Sequence, residues 1–270
     1  MSDHRYNYTS DDLSLNQAYS YNLLLQIDAN AFSYAVTFKK QLLAWGENYP
    51  LEELKDPQVL RDILTANYKQ VITGVYSTGF TLWPANLFDK DRIAEVARLL
   101  DVGDSEKVYW QTLDDANVIV YKVDEFMLSS IADLDNQLVN YKAKGWINLI
   151  AASRPADDEL YVNIGDETVE FLYFANRNLR FYNTFSFKNH EELAYYCAFV
   201  AGELKLHPGT TTLLLSGDVN QTDRNFTYLE GFFNRVKLND TQILVLPEQV
   251  VAHKVLTLAA LLLCASSEEN

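Results

Sequence analysis

The stretch LLLQIDANAFSYAVTF, residues 23–38, sets the pattern that the rest of the chain repeats. Its first five residues are apolar but for Gln26, Asp28-Ala29-Asn30-Ala31 supplies turn chemistry, and an apolar-rich run resumes at Phe32. Two short strands on either side of a tight turn pair antiparallel, and a third strand-like segment, 41–45, follows after another short turn. Asp28 then stands at the end of a strand and on the lip of the turn, where a carboxylate either serves chemistry or accepts the turn's own N–H bonds.

Outward from this hairpin, residues 57–69 carry Val59, Leu60, Ile63 and Leu64 at helical spacing behind Pro57, a residue suited to a first helical turn. A strand is expected at 70–77. FTLWPANLFDKDRIAEVARLL, residues 80–100, reads as a strand, a break at Pro84 and a helix capped by Asp89, with Ile93, Val96, Ala97 and Leu100 on one face. Residues 107–113 and 118–123 read as a strand pair joined by the turn DDAN. Residues 124–144 read as helical, closed by Lys144-Gly145.

From Trp146 the order begins again. Strands are expected at 161–164, 169–175 and 179–187, with turns at GDET and ANRN. Residues 189–205 make a helix capped by Asn189, with Glu192 three residues on and Leu193, Tyr196, Cys197, Val200 and Leu204 sharing a face. A strand at 211–216, a helix at 225–236, a strand at 242–246 and a buried helix at 253–264 complete the chain. This is a duplication of elements: an N-terminal lobe at 16–148, a C-terminal lobe at 149–270, and a polar tail at 1–15. The join, at 146–158, is polar and proline-bearing.

A chain of 270 residues, 48% hydrophobic, can bury roughly 70–75% of its unfolded surface and needs no disulfide staples. Cys197 and Cys264 both fall inside apolar helical patterns, which suits a reducing compartment. The acidic start MSDHRYNYTSDDLS lacks a basic and apolar leader, so a cytoplasmic location is expected. Glycosylation triplets at Asn7, Asn220, Asn225 and Asn239 carry no meaning there. The run VLTLAALLLCA, 255–265, is about half of what a bilayer span requires. A net charge of −15 repels phosphate backbones, which disfavours nucleic acid as a partner.

Three turns occupy matching places: Asp28-Ala29-Asn30 after the first strand, Asn163-Ile164-Gly165-Asp166-Glu167-Thr168 after its counterpart, and Ser216-Gly217-Asp218 after a later strand. Their order resembles the actin-like ATPase superfamily of actin, sugar kinases and heat-shock-protein-seventy ATPase domains. In that superfamily two hairpins grip phosphates and metal, and glycines after a late strand hold adenosine. FTLWPANLF with its break at Pro84, together with the IDAN and NIGDET turns, is more closely similar to a Bacteroidetes family, domain of unknown function 3822, which has this fold without an assigned activity. The resemblance implies an α/β, two-lobed actin-like ATPase architecture built from duplicated ribonuclease H-like lobes. It nominates Asp28, Asn30, Asn163, Gly165, Thr168, Ser216 and Gly217 as nucleotide-contacting positions, and Asp28 as the catalytic or magnesium-holding carboxylate.

The departures from the superfamily pattern have physical consequences. Phosphate-gripping hairpins depend on glycines that let N–H groups approach an anion. Asn30 and its flanking alanines replace them in the first turn, and Asp218 does so in the third. Asp166 and Glu167 would face a phosphate with like charge, which costs roughly 4 kcal/mol at about 4 Å and an effective dielectric near 20. The chain has only 10 glycines, about half the usual share. No cofactor is therefore expected, with magnesium-ATP as the alternative.

Other chemistries lack their residues. Ser216-Gly217-Asp218 has no flanking glycines of a nucleophile elbow, with His207 near only in sequence. His190-Glu191-Glu192 has no second zinc histidine, and Asp133-Leu134-Asp135-Asn136-Gln137 no calcium-loop glycine. The aromatics of the second hairpin, Phe171, Tyr173, Phe174, Phe181, Tyr182, Phe185 and Phe187, fill strand faces, and any left exposed would mark an interface. The expected function is a non-catalytic binding or scaffold protein, a pseudo-ATPase with a protein partner. The alternatives are a divergent ATP-binding ATPase or kinase-like enzyme, and a sensor of a neutral or cationic small molecule.

Overall fold

In the computed structural model, which describes residues 7–132, 134–135 and 137–265, contacts divide the chain into two units: 7–148 together with 258–265, and Leu149–Thr257.

The first unit begins with β1 (Asn7–Thr9), β2 (Asn22–Ile27), β3 (Ala31–Phe38) and β4 (Gln41–Pro50), followed by the one-turn helices α1 (Glu52–Lys55) and α2 (Arg61–Leu64) and by β5 (Gln70–Val75). After these come β6 (Gly79–Pro84), α3 (Ile93–Ala97), β7 (Glu106–Thr112), β8 (Asn117–Asp124), α4 (Glu125–Ser130), β9 (Gln137–Tyr141) and the start of α5 (Lys144–Ala152). The main sheet runs β1-β4-β3-β2-β5-β9, and β6-β8-β7 forms a separate three-stranded sheet between β5 and β9 in the chain. Strands β2, β3 and β4 pair antiparallel, whereas β2, β5 and β9 are parallel. Leu23, Leu24, Leu25 and Ile27 are all fully buried. A central strand covered on both faces needs such a continuous apolar run, whereas a one-sided strand would alternate.

The second unit holds β10 (Glu159–Ile164), β11 (Thr168–Ala175), β12 (Asn178–Ser186), α6 (His190–Glu203), β13 (Thr212–Gly217), α7 (Arg224–Leu229), β14 (Arg235–Leu238) and most of α8 (Ala252–Ala260). Its sheet runs β12-β11-β10-β13-β14. That order, with two antiparallel pairings followed by two parallel ones, is the order of β4-β3-β2-β5-β9 in the first unit. One apolar core joins Leu160, Val162, Phe171, Leu213 and Leu215 of the sheet to Leu193, Cys197 and Val200 of α6. Asn176 and Arg177 have φ of 50° and 63°, the left-handed pair that a two-residue hairpin turn requires.

Several local expectations change. Residues 57–69 do not form one helix, because the buried Glu53 carboxylate accepts from the backbone N–H groups of Gln58, Val59 and Leu60 at 3.0–3.1 Å. These donors are satisfied without helical bonds, leaving only α2. The helix expected at 124–144 stops at Ser130, and Gln137–Tyr141 pairs instead as the parallel edge strand β9. Lys144-Gly145 opens α5 rather than closing a helix. The helix expected at 225–236 ends at Leu229, and the last sheet strand is β14. Residues 242–246 contribute only an isolated bridge at Val245. Residues 7–9, within the stretch expected as a tail, form β1 against β4; residues 1–6, Asp133 and Asn136 lie outside the described residues. In α8 and the 3₁₀ turn after it, His253 through Leu261 are buried as expected, while Leu262 is half-buried and Leu263 exposed.

Candidate functional site

The register of the first sheet sets Ile27, Val75 and Tyr141 abreast on β2, β5 and β9. Asp28, Tyr76 and Lys142 therefore leave the sheet together at the carboxyl ends of three parallel strands, the end at which open α/β sheets place their ligands. Asp28 closes its own turn, its N–H donating to the Ala31 carbonyl at 2.8 Å, and Asn30 projects into solvent at the tip. The Asp28 side chain is engaged as well. Lys142 Nζ donates to Oδ1 at 2.7 Å and Gln26 Nε2 to Oδ2 at 3.4 Å.

Lys142 is the more enclosed partner, its side chain 12% exposed against 42% for Asp28. Its ammonium therefore stands where a cation bound to Asp28 would sit. A second positive charge about 4 Å from it would meet roughly 4 kcal/mol of repulsion per unit charge at an effective dielectric near 20, about a thousandfold in affinity. Among the described residues, no group of three or more His, Cys, Asp or Glu could hold a metal.

In the second unit, Asn163 of β10 and Ser216 of β13 are register partners. The Asn163 amide turns inward and donates through Nδ2 to Glu170 Oε2 at 2.7 Å, while Tyr182 Oη donates to Glu170 Oε1 at 2.8 Å. All three side chains are buried. A carboxylate with a charge-assisted donor on each oxygen forms a local polar network that holds β10, β11 and β12 in register. Ser216 is fully buried, so its hydroxyl is no exposed nucleophile. Gly165 N–H donates to the Thr168 carbonyl at 2.7 Å, closing the hairpin, with Asp166 and Glu167 exposed at its tip.

The third turn is held from α8. Gly217 has φ +84°, and Asp218 N–H donates to the Ile164 carbonyl at 2.7 Å. His253 Nε2 lies 2.7 Å from the Val219 carbonyl, which makes it the protonated ring nitrogen, and Lys254 Nζ lies 3.3 Å from Asp218 Oδ1. Burial pushes the His253 pKa below its ordinary value, outweighing the opposing bond to Val219. The turn that would accept a ligand thus receives two side chains of the chain itself.

The other residues weighed from sequence have local roles. His207 Nδ1 accepts from Gly209 N–H at 3.0 Å, and Asn189 caps α6 by accepting from Glu191 and Glu192 N–H. Phe171 and Phe174 are buried, and Phe185 stacks on Tyr196 at 4.7 Å. Among the described residues, no helix is long and apolar enough to cross a membrane. Sequence reasoning missed Lys142, Glu170, His253 and Lys254, and placed Tyr182 only among the aromatics that fill the strand faces of its hairpin. Lys142 lies 114 positions from Asp28, so only recognition of β9 as a strand parallel to β2 and β5 could have brought it to the turn.

The fold has solved relatives. A protein from Bacteroides thetaiotaomicron VPI-5482, described as having an actin-like ATPase fold and unknown function, superposes with a TM-score of 0.78 at 17% identity, covering 94% of this chain and 99% of that one. A PilM–PilN type IV pilus biogenesis complex superposes with a TM-score of 0.62 at 12% identity, covering 90% and 98%. The α/β fold is accordingly that of the actin-like ATPases, with its ribonuclease H-like sheet present twice. No curated protein matches the chain. The profile of a protein family of unknown function, DUF3822, matches residues 10–236, and the chain belongs to that family.

Proposed function

We propose that this is a cytoplasmic, non-catalytic binding protein, a pseudo-ATPase whose lobes, 16–148 and 149–270, keep an actin-like framework while its nucleotide turns have been turned to internal use. The observation that carries the reading is the 2.7 Å ion pair between Lys142 and Asp28, which neutralises the acid that would hold magnesium. The contact of Lys254 with Asp218 in the second unit supports it. The matching five-strand order of the two sheets supports the duplication, although residues 258–265 pack with the first unit. A protein partner is favoured because one solved relative of this fold is a complex with a second protein, and a net charge of −15 opposes nucleic acid.

Phosphate release from magnesium-ATP, followed over hours for the wild type and Asp28→Asn, tests the reading. The expected result is the same background rate for both. Turnover in the wild type that disappears in Asp28→Asn overturns it in favour of a divergent ATPase.

A further inference from the structure

β9 is the edge strand of the main sheet of the first unit, and β7 is an edge strand of the smaller one. No backbone ladder joins them. The Gln111 carboxamide on β7 bridges the gap instead, donating through Nε2 to the Val139 carbonyl at 3.0 Å and accepting at Oε1 from Tyr141 N–H at 2.9 Å. Two bonds from one planar amide fix the spacing of the two sheets here, so the space beside it is formed by the fold before any ligand arrives.

That space is a cavity of about 370 Å³, within the roughly 300–1,000 Å³ range of small-molecule sites. Val75 and Val139 of the main sheet, Tyr109, Tyr121 and Val123 of the smaller sheet, and Leu128 of α4 form its wall. Alternation along β7 keeps Tyr109 and Gln111 on this side and turns the Trp110 ring to the other, against Phe88 at 4.9 Å. Val75, Tyr121 and Val123 are buried, Leu128 is half-buried and Tyr109 is 37% exposed. The cavity is therefore deep, with Tyr109 at the solvent side.

The lining decides the class of occupant. Among the described residues no charged side chain faces the cavity. An ion would exchange its hydration for apolar and aromatic walls without a counter-charge, a penalty that a neutral molecule is spared. The Tyr109 and Tyr121 rings lie 6.0 Å apart at 33°, and such aromatic walls favour a flat ring as neighbour. Tyr121 is 2% exposed, and its hydroxyl has no hydrogen-bond partner among the described residues. Burial, with Tyr109 beside it, raises its pKa above the ordinary tyrosine value. It stays a neutral phenol that can donate or accept, and an unpaired buried hydroxyl gains from a partner.

We propose that this cavity is a binding site for a neutral small molecule with a flat one- or two-ring body and a hydrogen-bonding group for the Tyr121 hydroxyl. The site stands apart from the pseudo-ATPase reading, because it lies between the two sheets of the first unit and uses none of the three turns.

The test is saturation-transfer NMR titration of the full chain with two neutral probes, indole and phenol, and two charged ones, benzoate and benzylammonium. Intermolecular NOEs to the methyls of Val123 and Ile131 locate the bound probe. Leu128→Trp fills the cavity from a half-buried position, Tyr121→Phe removes the hydroxyl, and Tyr195→Ala in the second unit is the control. The expected result is binding of indole and phenol with Kd on the order of 0.1–1 mM, and of the charged probes at least about tenfold more weakly. Indole affinity should fall about tenfold or more in Leu128→Trp and about threefold to tenfold in Tyr121→Phe, and stay unchanged in Tyr195→Ala. If Leu128→Trp fails to fold, Tyr121→Phe and the NOEs decide.

No saturable binding of either neutral probe at millimolar concentration overturns the proposal. So do charged probes that bind as well as neutral ones, or NOEs that place the probe away from Val123 and Ile131. Nucleotide turnover would sink the pseudo-ATPase reading and leave this result standing.

Discussion

Lys142 Nζ stands 2.7 Å from Asp28 Oδ1 at the carboxyl ends of β9 and β2. The Asp28 side chain is 42% exposed, so the pair contributes less than about 1 kcal/mol to stability. Its importance is electrostatic occupancy of the turn. Lys142→Met should shift the urea unfolding free energy by no more than about 1 kcal/mol. A much larger loss would mean that the lysine is a structural strut.

Gly217 combines φ +84° with a backbone so close that a Cβ would collide with the Ile164 carbonyl oxygen. Gly145, at the start of α5, faces the Ala260 carbonyl in the same way. Gly217→Ala and Gly145→Ala should each cost about 1–3 kcal/mol in urea denaturation, the first through strain and close contact, the second through overpacking. Gly202 in α6 has open space around its Cβ position. Gly202→Ala should stabilise by about 0.5–1 kcal/mol, and a loss there would show that backbone contacts do not govern this series.

The Asn163–Glu170–Tyr182 network should behave as a unit. Glu170→Ala strips a buried amide and a buried hydroxyl of their acceptor and should cost about 2–4 kcal/mol. Tyr182→Phe leaves the Asn163 bond intact and should cost about 1–1.5 kcal/mol. A double-mutant cycle with strictly additive losses would contradict coupling through the carboxylate.

The repeated hairpins were legible because their strands are short, apolar and bounded by turn residues: 23–27 and 32–38 in one half, 161–164 and 169–175 in the other. The capping of α6 was legible at Asn189 for a local reason of the same kind, since the cap and its acceptors lie within three residues. β9 was not. Its sequence, QLVNY, has no sharp apolar alternation, and its strand state comes from pairing with β5, more than sixty positions earlier by register. The truncated helix at 57–69 failed because Glu53, outside the helical stripe, captures the donors of Gln58, Val59 and Leu60. At the site, Asp28, Asn163 and Asp218 could be picked out from their turns. Their partners Lys142, Glu170 and Lys254 arrive through sheet register and helix docking, which a linear reading does not contain.

His253 supplies a pH test. Burial lowers its pKa beneath the ordinary histidine value, so folding favours the neutral ring. The stability this contributes is whole above about pH 6.5 and is lost as pH falls through the depressed folded value. Lys254, Asp218 and Asp223 are the charged groups around this turn. Between about pH 7.5 and about pH 5.5, the melting midpoint of the wild type should fall more steeply than that of His253→Gln, which keeps a side-chain donor for Val219. Parallel pH slopes would assign the acid sensitivity to other groups.

The most direct test of internal lysines in place of a nucleotide-bound metal is calorimetric titration of magnesium-ATP into the wild type, Lys142→Met and Asp28→Asn. No binding heat is expected for the wild type or Asp28→Asn, and a gain of magnesium-dependent affinity is expected in Lys142→Met once the competing ammonium is gone. Micromolar binding by the wild type that disappears in Asp28→Asn would contradict it and make Asp28 a metal-holding carboxylate.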